Sequence, residues 1–321
     1  MSTEGGTRAI LAALMANLGI AVTKFVAFLL TGSSSMLAES VHSLADSSNQ
    51  GLLLLGGRRA KKQATPEHPF GYGRERYFWA FVVSIVLFSI GGLFALYEAY
   101  HKYQQPEPIT AWAWVPVVVL LVAIALESFS FRTAIVESNH VRGKRSWGQF
   151  IRSAKAPELP VILLEDFAAL LGLVFALSGV VLTLVTGNGV WDAVGTALIG
   201  VLLVTVAFVL SVEMKSLLLG EAATVENVRA IERAIGSAPG IDRVIHMRTL
   251  HIGPEELIVA AKVAVAHSDT GNVIADTINV AELHARQAVP DLTLLLYLEP
   301  DIDHGAEGVR PAWDPRQGRP V

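Results

Sequence analysis

The stretch Ser33–Gly57, SSSMLAESVHSLADSSNQGLLLLGG, has the length of a membrane-crossing helix but carries Glu39, His42, Asp46, Asn49 and Gln50 through its middle. A charged group at mid-membrane costs about 2.5–3.5 kcal/mol on insertion scales, so such residues persist where they face a cavity, a partner charge or an ion path. Positions 39, 42, 46 and 49/50 recur at helical spacing and form one stripe, while Leu37, Val41, Leu44 and Leu52–Leu55 fill the remaining faces. His42 and Asp46 are four apart, which places their Cβ atoms about 5–6 Å from one another. That is close enough to hold one metal ion between them. A His–Asp hydrogen bond in a bundle core would use the same spacing. The cost of the buried stripe and a second acidic pair further along favour the ion.

The whole chain supports a membrane setting. Of its 321 residues 52% are hydrophobic and only 17% charged, against about 25% charged in soluble domains. The formal net charge is −4 and the basic residues sit in short loops, so nucleic acid is not an expected partner. Cysteine is absent from the sequence. Disulfides, iron–sulfur clusters and thiolate sites are thereby excluded, leaving His, Asp and Glu as metal ligands.

Six spans of hydrocarbon length are expected, near Ala9–Leu30, Ser35–Gly56, Tyr77–Tyr100, Ala111–Phe131, Pro160–Leu184 and Trp191–Leu218. The first reads as a retained span, because no small-residue cleavage site follows a short apolar core. Arg58, Arg59, Lys61, Lys62, Arg74 and Arg76 fill the second-to-third loop, and Arg142, Lys144, Arg145, Arg152 and Lys155 the fourth-to-fifth. The intervening loops are nearly free of basic residues, so the positive-inside rule predicts that both termini are cytoplasmic. Trp112, Trp114 and Trp191 fall at the expected outer helix ends, as an interfacial belt would place them.

After residue 219 the pattern changes. TVENVRAIERAIGSAPGI reads as an amphipathic helix opened by Thr224, DRVIHMRTLHIG and EELIVAAKVAVAH as strands, TGNVIADTINVAELHARQAV as a second helix and DLTLLLYLEP as a third strand. The expected organisation is a six-helix transmembrane domain over 1–219, an αββαβ domain over 220–304 and a disordered Gly/Pro-rich tail over 305–321. So small an α+β domain is expected to pair with a copy of itself.

The second acidic pair lies in PELPVILLEDFAALLGL. Glu165 and Asp166 are adjacent carboxylates early in the fifth span, after Pro157 and Pro160 at the helix entry. Consecutive residues point about 100° apart, so one can face His42 and Asp46 while the other reaches from the side or serves a neighbouring helix. Two carboxylates in low dielectric repel unless a divalent cation or protons neutralise them.

At these residues the chain resembles the cation diffusion facilitator family of metal transporters. The motif HSLAD, the loop HPFGYGRERYFWAF leading into the third span, and the αββαβ region carry the resemblance over roughly residues 8–300. It implies six transmembrane helices followed by a ferredoxin-like α+β cytoplasmic domain that forms a homodimer, with His42 and Asp46 as metal ligands. The sequence departs from the family at Ile162, where a fifth-span His is usual; Glu165 is the obvious substitute beside Asp166. LLED there is similar to the branch of mitochondrial-type zinc transporters. Only His68 beside Glu67 remains in the loop where some members hold a second metal. Ala261 and the YLEP of Glu299 replace cytoplasmic ligands, so a strong cytoplasmic cluster is not expected.

Other polar residues have blander readings. Lys24 and Glu39 lie at similar depth and are expected to pair across the first two spans. Glu98, Glu127 and Glu213 read as bonding near helix ends, and Asn17 as a candidate path-lining residue. His246, His251, His267 and His284 read as surface or packing histidines, and Glu299, Asp301, Asp303 and His304 as solvated. The glycines of Ser89–Phe94 are expected to permit close helix packing.

Site chemistry then suggests the activity. His with carboxylates suits zinc best, with manganese, iron, cobalt or cadmium as further candidates and magnesium disfavoured. Ligands bind metal only when deprotonated, so the same residues can couple metal export to proton entry. The metal is substrate, with no resident cofactor and no enzymatic reaction expected. The expected location is the cell membrane, the inner membrane if the source is bacterial. A metal-permeable channel or a membrane metal sensor would use similar polar helices.

Overall fold

The computed structural model describes residues 3–106, 108–109, 112–303, 313–314 and 319–320, with side chains from Asn17 to Asp303 among them. The chain divides into two compact units, residues 1–218 and 219–321.

In the first unit, α1 spans Thr3–Thr31 and α2 spans Ser34–Ala60. Gly32 turns the chain between them at φ 66, a left-handed conformation that suits glycine. Opening a helix leaves its first N–H groups without partners. Here Asp192, from the seventh helix, accepts from Ser34 N at 2.7 Å, Ser33 Oγ at 2.9 Å and Ser34 Oγ at 3.1 Å. The serine run thus caps α2 through a carboxylate distant in sequence.

The third helix, α3, runs from Glu75 to Gln104 with a π-helical segment over Leu87–Leu93. It is followed by α4 (Trp114–Arg142), a short α5 (Trp147–Ser153), α6 (Glu158–Thr186) and α7 (Val190–Leu219). Ser146 and Gln149 form a capping box that opens α5 inside what the sequence presents only as a basic loop. Close approach of α3 and α7 depends on glycine: a Cβ on Gly92 would lie 2.7 Å from Val204 Cγ2, and one on Gly200 2.7 Å from Leu96 Cγ. The glycine pair in Ser89–Phe94 serves the packing expected of it.

Among the described residues, four helices are long and apolar enough to cross a membrane: α3, α4, α6 and α7. Asn17–Thr31 in α1 is a shorter apolar stretch. The polar stripe keeps α2 out of that group. Tyr77, Leu87, Leu120, Leu173, Ile199, Leu203, Leu210 and Met214 fill the core of the unit.

The fourth helix differs from expectation at its far end. It continues about three turns beyond Phe131, because Phe131, Ile135 and Ala134 pack against Phe150 of α5 and Leu163 of α6. Hydropathy alone ends the span at Arg132, while tertiary packing prolongs the helix.

The second unit contains α8 (Val225–Gly236), β1 (Arg243–His251), β2 (Glu256–Ala264), α9 (Gly271–Ala288) and β3 (Thr293–Asp301). Thr224 caps α8 by accepting from Asn227 N at 3.3 Å. The sheet order is β1-β2-β3, with β1 antiparallel and β3 parallel to β2. Leu257, Val259, Ala261 and Val263 alternate along β2 and meet Ile231, Ile235, Ala281 and Ala285 of the two helices. The tail expected over 305–321 lies outside the described residues, apart from a two-residue antiparallel pair, β4 (Trp313–Asp314) with β5 (Arg319–Pro320).

Candidate metal site

The stripe on α2 is buried as its periodicity requires: Glu39 is 0%, His42 1% and Asn49 0% exposed. Its polar groups are engaged unequally: Glu39 and Asn49 are bonded to neighbouring helices, while His42 and Asp46 face each other. Lys24 of α1 donates to Glu39 Oε2 at 3.0 Å and to Ser43 Oγ at 2.8 Å. This is the ion pair expected between the first two helices, and it leaves Glu39 occupied by an ammonium group. Glu39 Oε1 rests against α6, where a Cβ on Gly172 would come within 2.9 Å of it.

One turn further along, His42 Nε2 and Asp46 Oδ2 stand 3.5 Å apart. Neither ring nitrogen of His42 has a hydrogen-bond partner among the described residues, nor do Asp46 Oδ1, Asn49 Oδ1 and Gln50 Oε1. A buried polar atom left unpaired costs about 1–3 kcal/mol. A row of them along one helix face is therefore poorly explained by packing.

The acidic pair on α6 splits between two helices. Asn49 Nδ2 donates to Glu165 Oε1 at 2.7 Å, turning Glu165 toward α2. Ser130 Oγ of α4 donates to Asp166 Oδ2 at 2.9 Å, turning Asp166 toward α4. The roughly 100° between consecutive residues makes this division unavoidable. Asp46 interacts electrostatically with Glu165, Glu127, Lys24 and Asp166. Its electrostatic neighbours thus lie on α1, α4 and α6.

Among the described residues, no three His, Asp or Glu side chains close around a single point tightly enough to enclose a metal ion. His42 and Asp46 face each other; Glu165 and Asp166 are each held aside by a neutral hydrogen-bond donor. The arrangement is an open one. Among the described residues, Glu39, Asp46, Glu127, Glu165 and Asp166 bring five carboxyl groups into electrostatic reach of one ammonium, that of Lys24, so neutralisation requires protons or a cation.

Glu127 is the member that sequence reasoning places wrongly. With the fourth span ending at Phe131 it reads as a helix-end residue, but α4 extends to Arg142 and puts it at mid-helix. The spacing to Ser130, one turn away on the same face, is the signal that could have found it. Asp192 is the other omission, a buried carboxylate whose signal is the matching serine run.

The second unit carries ion pairs on its surface. Lys262 contacts Glu299 Oε1 at 3.2 Å and Asp301 Oδ2 at 2.9 Å. Hydrogen bonds from Asp301 and then Glu299 push the Lys262 ammonium above its ordinary pKa. Arg243 pairs with Asp303. His251 is buried and its Nδ1 lies 3.1 Å from Gly253 O, in keeping with a packing role. In the loop after α2, His68 is exposed and lies against Tyr72, their ring centroids 4.6 Å apart and the rings tilted by 44°.

Comparison with known proteins places the chain in a family. Residues 10–219 match the cation efflux transmembrane domain. The chain belongs to that family, the cation diffusion facilitators, and is a multi-pass membrane protein. It is 33% identical over 227 residues to the human proton-coupled zinc antiporter SLC30A9, mitochondrial, covering 70% of this chain and 39% of the relative. It is 26% identical over 258 residues to metal tolerance protein C4 of Arabidopsis thaliana, covering 79% of this chain and 56% of the relative. A third relative is the magnetosome protein MamM of Magnetospirillum gryphiswaldense, 25% identical over 241 residues, covering 73% and 69%. The chain spans less than half the length of the zinc antiporters it matches.

Proposed function

We infer that the protein is a secondary transporter that moves divalent transition-metal cations, zinc foremost, out of the cytoplasm in exchange for protons. The observation that carries this reading is the row of buried, unpartnered atoms on His42 and Asp46 beside the carboxylates of α6. An imidazole nitrogen with carboxylate oxygens is a donor set suited to zinc. His42, Asp46, Glu165 and Asp166 are the proposed ligands. Metal binding requires each of them deprotonated, so loading releases protons and protonation from the far side expels the metal.

The names of the relatives, a zinc antiporter and a metal tolerance protein, agree with this substrate class. In the proposed arrangement α1, α2, α3, α4, α6 and α7 all cross the membrane, with the stripe of α2 shielded from lipid by its neighbours. The excess of Lys and Arg in the second-to-third and fourth-to-fifth loops puts both termini in the cytoplasm. The α+β unit, of ferredoxin-like type, pairs with the same unit of a second copy, and alternating access rocks the site between the two faces.

A metal panel in proteoliposomes with an imposed pH gradient tests the reading. Zinc flux should follow the gradient and reverse with it. Flux that persists unchanged when the gradient is removed would indicate a channel, and no flux a sensor.

A further inference from the structure

We propose that Glu127 of α4 is a fifth donor of the membrane metal site and tilts its selectivity toward oxygen-preferring divalent ions such as Mn²⁺. This rests on the reading of His42, Asp46, Glu165 and Asp166 as the transport site.

The first support is position. Of the four apolar helices α4 is the least enclosed, with 17% of its apolar stretch buried, so most of this helix faces outward. An ionisable residue at its middle is costly there and is expected on the face turned to a polar interior. Ser130 fixes which face that is: it lies one turn from Glu127 and its hydroxyl reaches Asp166 at 2.9 Å.

The second support is the company that Glu127 keeps. Its charge interacts with Lys24, Asp166 and Glu39, and it acts in turn on Asp46. These residues belong to α1, α6 and α2, so the charges of the site lie within electrostatic reach of Glu127. It makes no hydrogen bond or ion pair with another described residue, whereas Glu39, Glu165 and Asp166 each hold a partner. A carboxylate with no partner is the one most free to swing onto a cation.

The chemical consequence concerns coordination. Four-coordinate zinc is satisfied by one imidazole and three carboxylate oxygens. Mn²⁺ favours oxygen ligands and a larger shell, so an additional carboxylate benefits it more than zinc.

The test uses the full-length protein in detergent, titrated calorimetrically with Zn²⁺ and with Mn²⁺. The variants are Glu127→Gln, Glu127→Asp and Asp46→Ala, with Ser128→Ala as a control on the lipid-facing side of α4. Glu127→Gln is expected to weaken Mn²⁺ binding about tenfold or more and zinc binding less, raising the zinc preference. Glu127→Asp should recover part of the loss, and Ser128→Ala should match wild type. If Glu127→Gln binds both metals as wild type does while Asp46→Ala binds neither, Glu127 is no donor and the four-residue site stands. If Asp46→Ala also binds as wild type, the site reading fails and takes this inference with it. A loss equal for both metals, with a lowered melting temperature and no recovery in Glu127→Asp, would mark Glu127 as structural and overturn the proposal.

Discussion

Asn49 and Glu165, far apart in the chain, are joined by a 2.7 Å hydrogen bond that ties the polar stripe of α2 to the acidic pair of α6. The amide holds one oxygen of Glu165 and leaves the other uncommitted. If Glu165 ligates the metal, Asn49 is the group that aims it. Replacing a hydrogen-bond partner of a metal ligand typically costs about 10–100-fold in affinity. Asn49→Ala should therefore weaken zinc binding by that order without unfolding the protein, as read by calorimetry and a thermal melt on the same sample. Unchanged affinity would leave Glu165 oriented by packing alone.

Asp46→Ala removes the carboxylate that faces His42 at 3.5 Å and interacts with the charges of α1, α4 and α6. Metal flux should fall to background while expression and dimer formation stay near wild type. Wild-type flux in vesicles would remove Asp46 from the site.

The missing fifth-span histidine makes a sharper comparison possible. With Glu165 as its substitute, Glu165→Gln should weaken metal binding nearly as much as Asp166→Asn. Titrating both variants in parallel separates the cases: a large loss for Asp166→Asn with little for Glu165→Gln would mean that Glu165 only supports the site.

The Lys24–Glu39 pair is a matter of stability. Both side chains are essentially inaccessible to solvent, and removing one partner of a buried pair costs about 3–5 kcal/mol. Lys24→Met should lower the melting temperature markedly, and adding Glu39→Gln should restore most of it. Equal melting of the single and double variants would show that the charges are not coupled.

Much of this was legible in the sequence because a membrane makes polarity informative. The spacing of Glu39, His42, Asp46 and Asn49 put all four on one buried face, and the similar depths of Lys24 and Glu39 anticipated their pairing. Thr224 and the alternation along β2 likewise announced α8 and the sheet. What escaped depended on contacts distant in sequence. Hydropathy ends the fourth span near Phe131, and nothing local reveals that Phe150 and Leu163 prolong the helix and centre Glu127. Ser33 and Ser34 fall between the first two expected spans, and only the packing of α7 brings Asp192 to them. The division of Glu165 and Asp166 between α2 and α4 followed from helix geometry, but which faced which required Asn49 and Ser130 in place.

In the proposed mechanism one set of side chains holds metal and protons alternately. Calorimetry repeated in buffers of different ionisation enthalpy counts the protons released when zinc binds the purified protein and so reports on this alternation. Proton release is expected on zinc binding to the wild type, with a smaller release where Asp46→Ala leaves residual binding, and it should decline as the starting pH rises and the ligands are already deprotonated. Zinc binding with no proton release at any pH would contradict it.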